Sequence, residues 1–389
     1  METREDTWDY RNPYEWMARV KNSSFSPVII QAAITGGFHG KEANPNLPET
    51  AEEQADATFE AYKAGASVVH VHARDPKNLA QATRSPDDYS RVNRLIRERC
   101  PDIIINNSTG GGPTLTAEER MSGLFADPRP DMASLNPGPF MLRFTQAERP
   151  EQFAHPRGAK KMDMTMPITY GEVDLMADTM REKGIRPEIE LFHPGHYWVV
   201  NELIRNGKIT PPYFIQFVLG FQTSIYPTPA NVLNLINELP PQSHFLMSGV
   251  GVFQVPMTAL AIILGGHVRV GLEDNLYLRR GERAASSAQL VQRAVRMSHD
   301  MNREVATPAQ ARKMLGLPPE AGAAPSARIS AMLIRLAPPK ACRYSVTWLS
   351  VLSALIATRR YLPYWPESAM CSTVRFPCSI RARHCSTWK

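Results

Sequence analysis

The sequence is poor in cysteine: the chain has five, and Cys100 is the one that falls within the first 317 of its 389 residues. A single thiol cannot form an internal disulfide, which excludes a disulfide scaffold for this part of the chain. Residues 1–6 are charged and lack the apolar core of a secretory signal. The apolar stretch at residues 344–358 is shorter than the roughly 20 residues that a membrane span requires. These absences predict a cytoplasmic protein without a membrane partner.

The excess of positive charge belongs to the end of the chain. The formal net charge is +6, but residues 318–389 hold ten Lys/Arg and two acids, which leaves 34 basic and 36 acidic residues before them. The nearly neutral body gives no reason to expect a nucleic-acid partner. We therefore divide the chain into an N-terminal arm (1–27), a catalytic body (28–317) and an atypical basic tail (318–389) that we expect to be poorly ordered.

The body has the periodicity of a (β/α)₈ TIM barrel, an α/β fold. Eight β-like runs recur with amphipathic stretches between them, and about 250 to 300 residues suffice for such a barrel. A doubly wound sheet would separate the second strand from the eighth, whereas a closed barrel makes both neighbours of the first. The predicted strands are 28–33, 67–72, 103–107, 132–136, 188–192, 213–219, 244–248 and 267–272. The predicted helices include 50–64, 86–99, 171–182, 232–238, 284–301 and 308–315.

A His-X-His pair closes the second predicted strand. His70 and His72 are two residues apart in a β-rich run, so both side chains lie on the same face. The run ends just after them in Arg-Asp-Pro, which places the pair at the carboxyl edge where α/β folds carry out chemistry. Two imidazoles make half a metal site, and without a third ligand the pair could equally be two core histidines or a surface pair.

A candidate third ligand follows the eighth predicted strand. Glu273 stands at the end of the run that contains Arg269, and Asp274 comes next. Two imidazoles and a carboxylate with an open position are the ligand set that a Lewis-acid zinc site needs. The competing interpretation of Glu273 is an exposed acid in a loop. Only a closed barrel would bring the second and eighth strands together around one ion.

Glycine-containing loops follow several of the strands. Ser108 and Gly111 belong to Ser-Thr-Gly-Gly-Gly after the third run, and similar loops follow the fourth, fifth and seventh. An isolated pair of glycines is more often a tight turn, but backbone N–H groups and hydroxyls in such a loop can hold an anionic group. Loops of this kind at strand ends that face one mouth indicate a ligand site.

A set of motifs in this order resembles the β-keto acid cleavage enzymes. The resemblance covers residues 27–317, and the combination is far more specific than any single motif. The motifs are Ala32-Ala33-Ile34-Thr35-Gly36, Asn46-Leu47-Pro48, His70-Val71-His72, Ser108-Thr109-Gly110-Gly111, Leu135-Asn136, Pro187-Glu188-Ile189-Glu190, Ile215-Gln216-Phe217-Val218-Leu219-Gly220 and Gly265-Gly266-His267 through Asn275.

The resemblance implies a zinc-dependent TIM barrel, usually a homotetramer, with small-molecule substrates. The implied reaction is an acyl exchange in which a β-keto acid and acetyl-CoA give acetoacetate and a new acyl-CoA. His70, His72 and Glu273 match the zinc ligands. Asp274, which we expect to pair with Arg269 and Ser108, matches the family's proton-abstracting base.

The resemblance also implies a set of substrate-binding residues. Ser108 and Gly111 match positions that hold the substrate carboxylate, and Glu190 matches a carboxylate of the pocket. Ser134 stands where an amine-specific member has threonine, so the hydroxyl is kept. For Ser108, Ser134 and Glu190 the alternative is a plain polar turn or a hydrogen-bonded strand end.

One position departs from the amine-specific pattern. Phe38 stands where the amine-specific member has the glutamate that binds the substrate ammonium. A phenyl ring cannot neutralise a buried cation, so an amine substrate is not expected unless Glu42 takes over that function. A neutral or acidic β-keto acid near His39 and Lys41 is the expected substrate.

Two other functions remain open at this point. A zinc hydrolase of the amidohydrolase type also uses His-X-His in a barrel, but it carries the pair after the first strand, whereas this pair follows the second. The second alternative is a non-catalytic, metal-stabilised binding barrel. Asp274 argues against it, because a structural site needs no base beside an open metal position. The N-terminal arm is aromatic and is expected to pack on a neighbouring subunit rather than to bind ligand; its aromatic residues are Trp8, Tyr10, Tyr14 and Trp16.

Overall fold

Eight parallel strands form a closed barrel. The structure, a computed structural model, describes residues 6–112 and 114–319. The strands are β1 (Ile30–Ala33), β2 (Val68–Val71), β3 (Ile104–Asn107), β4 (Met132–Leu135), β5 (Arg186–Leu191), β6 (Tyr213–Leu219), β7 (Ser243–Gly249) and β8 (His267–Val270). Around the barrel the strand order is β1-β8-β7-β6-β5-β4-β3-β2, and β2 pairs with β1 to close it.

The predicted TIM barrel is confirmed. Each of the eight predicted runs overlaps one barrel strand, and no strand begins or ends more than two residues from its predicted limit. The five four-residue strands, β1, β2, β3, β4 and β8, are buried along their whole length, as expected for parallel strands that helices cover.

Helices surround the barrel and are set by local signals. Helix α2 begins with a capping box in which Thr50 and Glu53 satisfy each other's backbone N–H groups. Helix α5 ends at Gly184, whose φ of 63° is the left-handed conformation that glycine adopts without strain. The helices are α1 (Pro13–Lys21), α2 (Ala51–Lys63), α3 (Pro86–Arg99), α4 (Ala117–Arg120), α5 (Tyr170–Lys183), α6 (Tyr197–Arg205), α7 (Pro229–Asn237), α8 (Gln254–Ile263), α9 (Ser287–Asp300) and α10 (Pro308–Leu315).

An antiparallel hairpin after β4 was not predicted from the sequence. It pairs Phe140–Gln146 with Lys160–Met166, and we call residues 140–166 the mouth hairpin. Its far end is fastened to the loop after β1, because the Gln146 side chain donates a hydrogen bond to the Phe38 carbonyl. The alternation of apolar residues at 140, 142 and 144 and at 162, 164 and 166 is the period of two that indicates a strand.

The N-terminal arm packs on the barrel of its own chain. The Tyr10 ring meets Phe245 of β7 at a centroid distance of 4.8 Å, and the Trp8 ring meets Phe25 at 5.7 Å. Trp8 and Tyr10 therefore contact their own chain, whereas Tyr14 is 78% exposed, and the packing of the arm on a neighbouring subunit stays a prediction. Across residues 6–112 and 114–319, no helix combines the length and the apolar character needed to cross a bilayer. The predictions for the tail from residue 320 onward lie outside the described residues.

Candidate metal centre and active site

Barrel closure brings the two histidines and the glutamate together. Strand β1 pairs with β2 on one side and with β8 on the other, with Ala33 beside His70 and Gln31 beside Arg269. The chain leaves β2 at His72 and leaves β8 a few residues before Glu273, so both ends open at the same edge. The juxtaposition that the sequence predicted only for a closed barrel is thus present.

The three side chains converge on one point. His70 Nε2 lies 3.2 Å from His72 Nε2, and Glu273 Oε1 lies 3.3 Å from His72 Nε2. Glu273 Oε2 lies 4.0 Å from His70 Nε2. One ligand atom from each residue falls within 4.8 Å of the others. All three side chains are largely buried, with exposed fractions of 1% for His70, 12% for His72 and 15% for Glu273.

This arrangement fits a zinc ion. Two ligands that each bind a tetrahedral zinc at about 2.0–2.1 Å lie about 3.3 Å apart, which matches the two closer separations. Among the described residues, Glu273 Oε2 is buried without a hydrogen-bond partner, so it has a free lone pair. Gly36 packs against the same side chain, and a Cβ there would lie 2.8 Å from Glu273 Cγ. Glycine at this position therefore leaves room for the carboxylate to face the histidines.

The protonation states suit metal binding. Burial lowers the pKa of His70 well below its ordinary value, with further lowering from Arg269 and His72, so the imidazole is neutral with a lone pair to donate. Burial raises the pKa of Glu273, but Arg269 and the two histidines outweigh it and hold the pKa below its ordinary value. The site therefore holds a neutral imidazole and a carboxylate at neutral pH, as a zinc ligand set requires.

Arg269 links the metal cluster to Asp274. Its Nη2 lies 2.7 Å from Glu273 Oε1 and 3.0 Å from Asp274 Oδ1, and its Nε donates to Asp274 Oδ2 at 2.9 Å. Although burial opposes it, the two carboxylates hold the pKa of Arg269 well above its ordinary value. The guanidinium therefore stays charged and fixes both acids in orientation.

Asp274 keeps an environment suited to proton transfer. Burial raises its pKa above the ordinary value, while Arg269 acts in the opposite direction. Its second side-chain hydrogen-bond partner is Ser248 of β7. Ser108, the expected partner, instead accepts a hydrogen bond at Oγ from the Gly110 N–H at 3.0 Å. The predicted pairing with Arg269 is present, and Ser248 takes the place of Ser108.

The loop after β3 reaches the cavity as predicted. Ser134, which was predicted to bind substrate, does not. Ser108 and Gly111 line the cavity. Ser134 is fully buried and absent from the cavity wall, and its Oγ accepts the Thr109 N–H at 2.9 Å. The Thr109 hydroxyl donates to the Ser134 carbonyl at 2.7 Å. Ser134 thus fixes the loop that carries Ser108.

Glu190 lies in the cavity wall on β5. Its Oε2 accepts from Asn136 Nδ2 at 3.0 Å, and its Oε1 accepts from Gln216 Nε2 at 3.3 Å. Arg269 Nη1 approaches the same carboxylate at 3.5 Å. Burial raises the pKa of Glu190 above its ordinary value, so this acid keeps its proton to a higher pH than an exposed glutamate does.

The cavity is large and has an apolar end. Its volume is about 980 Å³, near the upper limit of ordinary ligand sites. Phe38 lines it and meets the Phe144 ring of the mouth hairpin edge to face, at a centroid distance of 5.4 Å. Leu142, Met162 and Met164 of the hairpin extend this apolar wall.

Glu42 and Lys41 are engaged elsewhere. Glu42 Oε2 lies 2.7 Å from Arg149 Nη1, and its Oε1 lies 2.9 Å from Arg157 Nη2, with 2% of the side chain exposed. Lys41 forms an ion pair with Glu53. Neither Glu42 nor Lys41 lines the cavity, whereas His39 does. Of the two residues expected near the substrate, only His39 is thus part of the cavity wall.

Several cavity residues were not singled out from the sequence. Gln216 and Ser248 project into the site from β6 and β7, and Phe144 comes from the unpredicted hairpin. Gln216 interrupts the apolar strand Tyr213–Leu219, and a polar residue inside such a run is the signal that could have identified it. No comparable signal marks Ser248, because serine is common at strand ends.

Comparisons with known proteins agree with this geometry. A profile of the beta-keto acid cleavage enzyme family matches residues 27–317. The chain is 38% identical over 290 residues to the 3-keto-5-aminohexanoate cleavage enzyme of Acetoanaerobium sticklandii, covering 75% of this chain and 98% of the relative. It is 34% identical over 296 residues to the 3-oxoadipate:acetyl-CoA acetyltransferase of Cupriavidus necator, covering 75% of this chain and 95% of the relative.

A solved structure supports the fold. The apo structure of ObcA superposes with a TM-score of 0.57 at 21% identity, covering 70% of this chain and 66% of that one. This similarity shows a shared barrel architecture. The family profile covers the eight strands, the histidine pair and Glu273. Together with the identity to the two relatives, it shows that the chain belongs to the family of β-keto acid cleavage enzymes.

Proposed function

We propose that this enzyme transfers an acyl group from a β-keto acid to CoA, with acetyl-CoA as the second substrate and acetoacetate as the product. Relatives named for 3-oxoadipate:acetyl-CoA acetyltransferase and 3,5-dioxohexanoate:acetyl-CoA acetone transferase activities support this reaction class. The observation that carries the proposal is one cavity of about 980 Å³ that contains the His70–His72–Glu273 cluster and Asp274.

We propose that the cluster holds zinc. His70, His72 and Glu273 supply two neutral imidazoles and a carboxylate and leave a position open for substrate. When bound, zinc would polarise the ketone oxygen of the keto acid as a Lewis acid. Arg269 holds the Glu273 carboxylate through a 2.7 Å contact, which fixes the orientation of this ligand.

Asp274 is the proposed general base. The carbon between the two carbonyl groups of a β-keto acid is acidic, and Asp274 removes a proton from it. The resulting carbanion attacks the thioester carbon of acetyl-CoA, and CoA leaves that carbon and attacks the original ketone. Cleavage of the bond between that ketone carbon and the former carbanion carbon gives the new acyl-CoA and the carbanion of acetoacetate, which takes back the proton held by Asp274 and leaves as acetoacetate. Arg269 keeps Asp274 aimed into the cavity during these steps.

Ser108 and Gly111 are proposed to hold the substrate carboxylate. Both line the cavity, and a Cβ at Gly111 would lie 2.4 Å from Leu115 Cδ1, so a larger residue here would displace the Leu115 side chain. Ser134 supports this loop through Thr109, and we propose for it a positioning function. Glu190 is proposed to contact the substrate from the opposite wall, in its buried pair with Asn136.

We propose a β-keto acid with an uncharged distal chain as the preferred substrate. Phe38 and Phe144 form an apolar wall where an ammonium group would need a carboxylate. Glu42, the acid that could have replaced the missing partner, is committed to Arg149 and Arg157. The cavity therefore contains no spare carboxylate beside Phe38 among the described residues.

The two alternative functions are less well supported. The histidine pair is carried by the second barrel strand, whereas the amidohydrolase arrangement requires the first. A non-catalytic barrel would not need the buried Arg269–Asp274 pair beside an open metal position. We also propose that the enzyme is a cytoplasmic homotetramer. Size-exclusion chromatography with light scattering tests the oligomeric state.

The test is a panel of β-keto acids incubated with the zinc-loaded enzyme and acetyl-CoA, with acetoacetate as the readout. The panel contains neutral, acidic and amine-bearing chains of similar length. We expect acetoacetate only when both substrates are present, and none after chelation until zinc is restored. Acetoacetate formation independent of acetyl-CoA, or none with any member of the panel, would refute the proposed reaction.

A further inference from the structure

The mouth hairpin crosses the opening of the cavity. It leaves the barrel at β4, where Phe140 pairs with Met166, and its paired part ends at Gln146 and Lys160. At about 3.3 Å per residue, the Phe140–Met166 pair and the Gln146–Lys160 pair are about 20 Å apart along the hairpin. Beyond the paired part, Arg149 is fully buried against Glu42 and Glu49 of the loop after β1. The hairpin is therefore held at both ends.

The cavity-lining residues of the hairpin change from apolar to cationic along its length. Leu142, Phe144, Met162 and Met164 line the cavity nearer to β4. At the far end Lys160 lies on the same face as Met162, and Lys161, the next residue of the strand, begins the opposite face. Both lysines are exposed and line the cavity. Positive charge is thus collected where the hairpin is farthest from its base.

These two lysines are unmatched by acids. Arg84 of the cavity wall pairs with Glu119 at 3.0 Å, and Arg157 pairs with Glu42. Asp163, the acid nearest along the strand, is taken by Arg143 at 2.9 Å. Across residues 6–112 and 114–319 no carboxylate forms an ion pair with Lys160 or Lys161, so their charge is available to a ligand.

We propose that Lys160 and Lys161 form a subsite for the phosphate groups of acetyl-CoA. This inference rests on the proposed function, which requires the thioester to reach Asp274 inside the cavity. The flexible pantetheine arm separates the thioester from the phosphates, and the apolar stretch of the hairpin gives this arm a wall to follow. Exposed ammonium groups suit a solvated polyanion at the mouth better than the carboxylate of a short keto acid deep in the site.

The test compares two thioesters that differ in their phosphates. Steady-state kinetics are measured for acetyl-CoA and for S-acetylpantetheine with the Lys160→Ala/Lys161→Ala double variant. Because exposed ion pairs are individually weak, we expect the KM for acetyl-CoA to rise about 3- to 10-fold. The KM for the keto acid and the kinetics with S-acetylpantetheine should be unchanged. Added salt should weaken wild-type acetyl-CoA binding more than that of the variant.

A charge-matched control is Lys21→Ala/Lys63→Ala, which removes two exposed lysines outside the cavity and should leave every constant unchanged. An unchanged KM for acetyl-CoA in the Lys160/Lys161 variant would overturn the inference. So would a rise in the keto acid KM alone, which would assign the lysines to that substrate. If the wild type forms no acetoacetate, the proposed function fails, and calorimetric titration with CoA still decides whether the lysines bind its phosphates.

Discussion

Arg269 forms a two-point ion pair with Asp274, through Nε–Oδ2 at 2.9 Å and Nη2–Oδ1 at 3.0 Å. The same Nη2 reaches the neighbouring Glu273, so one buried guanidinium orients both a candidate metal ligand and the candidate base. Glu273 and Asp274 are neighbours in the sequence, which does not show which acid is the candidate metal ligand and which is the candidate base. The structure gives them different surroundings, so substitutions at the two positions can test the two functions separately.

Asp274→Asn is expected to keep the metal and the fold but to lower kcat by a factor of about 10² or more, because the amide cannot accept the substrate proton. The measurement pairs the initial rate of acetoacetate formation with metal analysis of the same sample. Glu282→Asn, at an exposed acid in a hairpin outside the cavity, serves as the control and should retain full activity. Turnover within a few fold of the wild type would move the proton transfer to another group.

His70→Ala and Glu273→Gln are each expected to abolish zinc binding and activity together, because either change removes one of three protein ligands. Metal content is measured by elemental analysis after dialysis against metal-free buffer. His299→Ala removes an exposed histidine at the end of α9 and should bind a full equivalent of zinc. Variants at His70 or Glu273 that keep a full equivalent and normal turnover would place the metal elsewhere.

Phe38 is expected to disfavour amine substrates. An unpaired ammonium beside Phe38 and Phe144 loses its hydration without gaining a partner, so kcat/KM for 5-amino-3-ketohexanoate should be lower than for an uncharged chain of similar length by about 10-fold or more. Phe38→Glu should narrow or reverse that preference, and Phe38→Leu is the apolar control. A wild-type preference for the amino substrate would show that another acid binds the amine.

Glu188 is expected to make stability depend on pH. It is buried in the barrel, and desolvation together with Glu190 raises its pKa to about 8. The folded state therefore keeps a proton that the unfolded chain releases above about pH 4.5, so the contribution of Glu188 to stability falls as pH rises from about 4.5 through 8.

Glu188→Gln should remove this dependence, since the amide can still accept the hydrogen bond that Gln31 donates at 3.2 Å. Relative to the wild type, the variant should gain on the order of 1–3 kcal/mol in the free energy of unfolding between pH 5 and pH 8. Chemical denaturation at several pH values measures it. The control Glu60→Gln, at an exposed position on α2, should show the same pH dependence of the free energy of unfolding as the wild type. If Glu188→Gln also shows the wild-type pH dependence, the raised pKa of Glu188 is contradicted.

Truncation after Leu317 is expected to leave an active, zinc-loaded barrel. Met314, Leu315 and Leu317 are buried in one cluster with Ile29 and Phe214, so the closing helix α10 is complete at this point. The pI should move to the acidic side because residues 1–317 hold 34 basic and 36 acidic residues. Expression yield, metal content and acetoacetate release are compared for both chains. A truncated protein that precipitates or loses zinc would assign the removed segment a structural function.

The sequence was sufficient for the features that depend on near neighbours. Strand periodicity is a local property, so the eight runs and the shared face of His70 and His72 could be identified from residues a few positions apart. The end of the eighth predicted run supplied Glu273 as a candidate third ligand, the family motifs matched it to the zinc ligands, and barrel closure supplied the reason that it could reach the histidines. Local patterns also failed where they were weak: the mouth hairpin has the correct alternation, but residues 147–159 separate its two strands and no short turn marks the pairing.

The choice of partners was decided only by the tertiary structure. The sequence presents Glu42 as a possible amine ligand, but Arg149, more than 100 residues away, neutralises it inside a buried pair. Ser134 likewise could face substrate, and instead its hydroxyl accepts the Thr109 N–H of the adjacent strand end. Electrostatic and hydrogen-bond partners are selected by distance in space and by burial, and neither quantity is encoded in the spacing of residues along the chain.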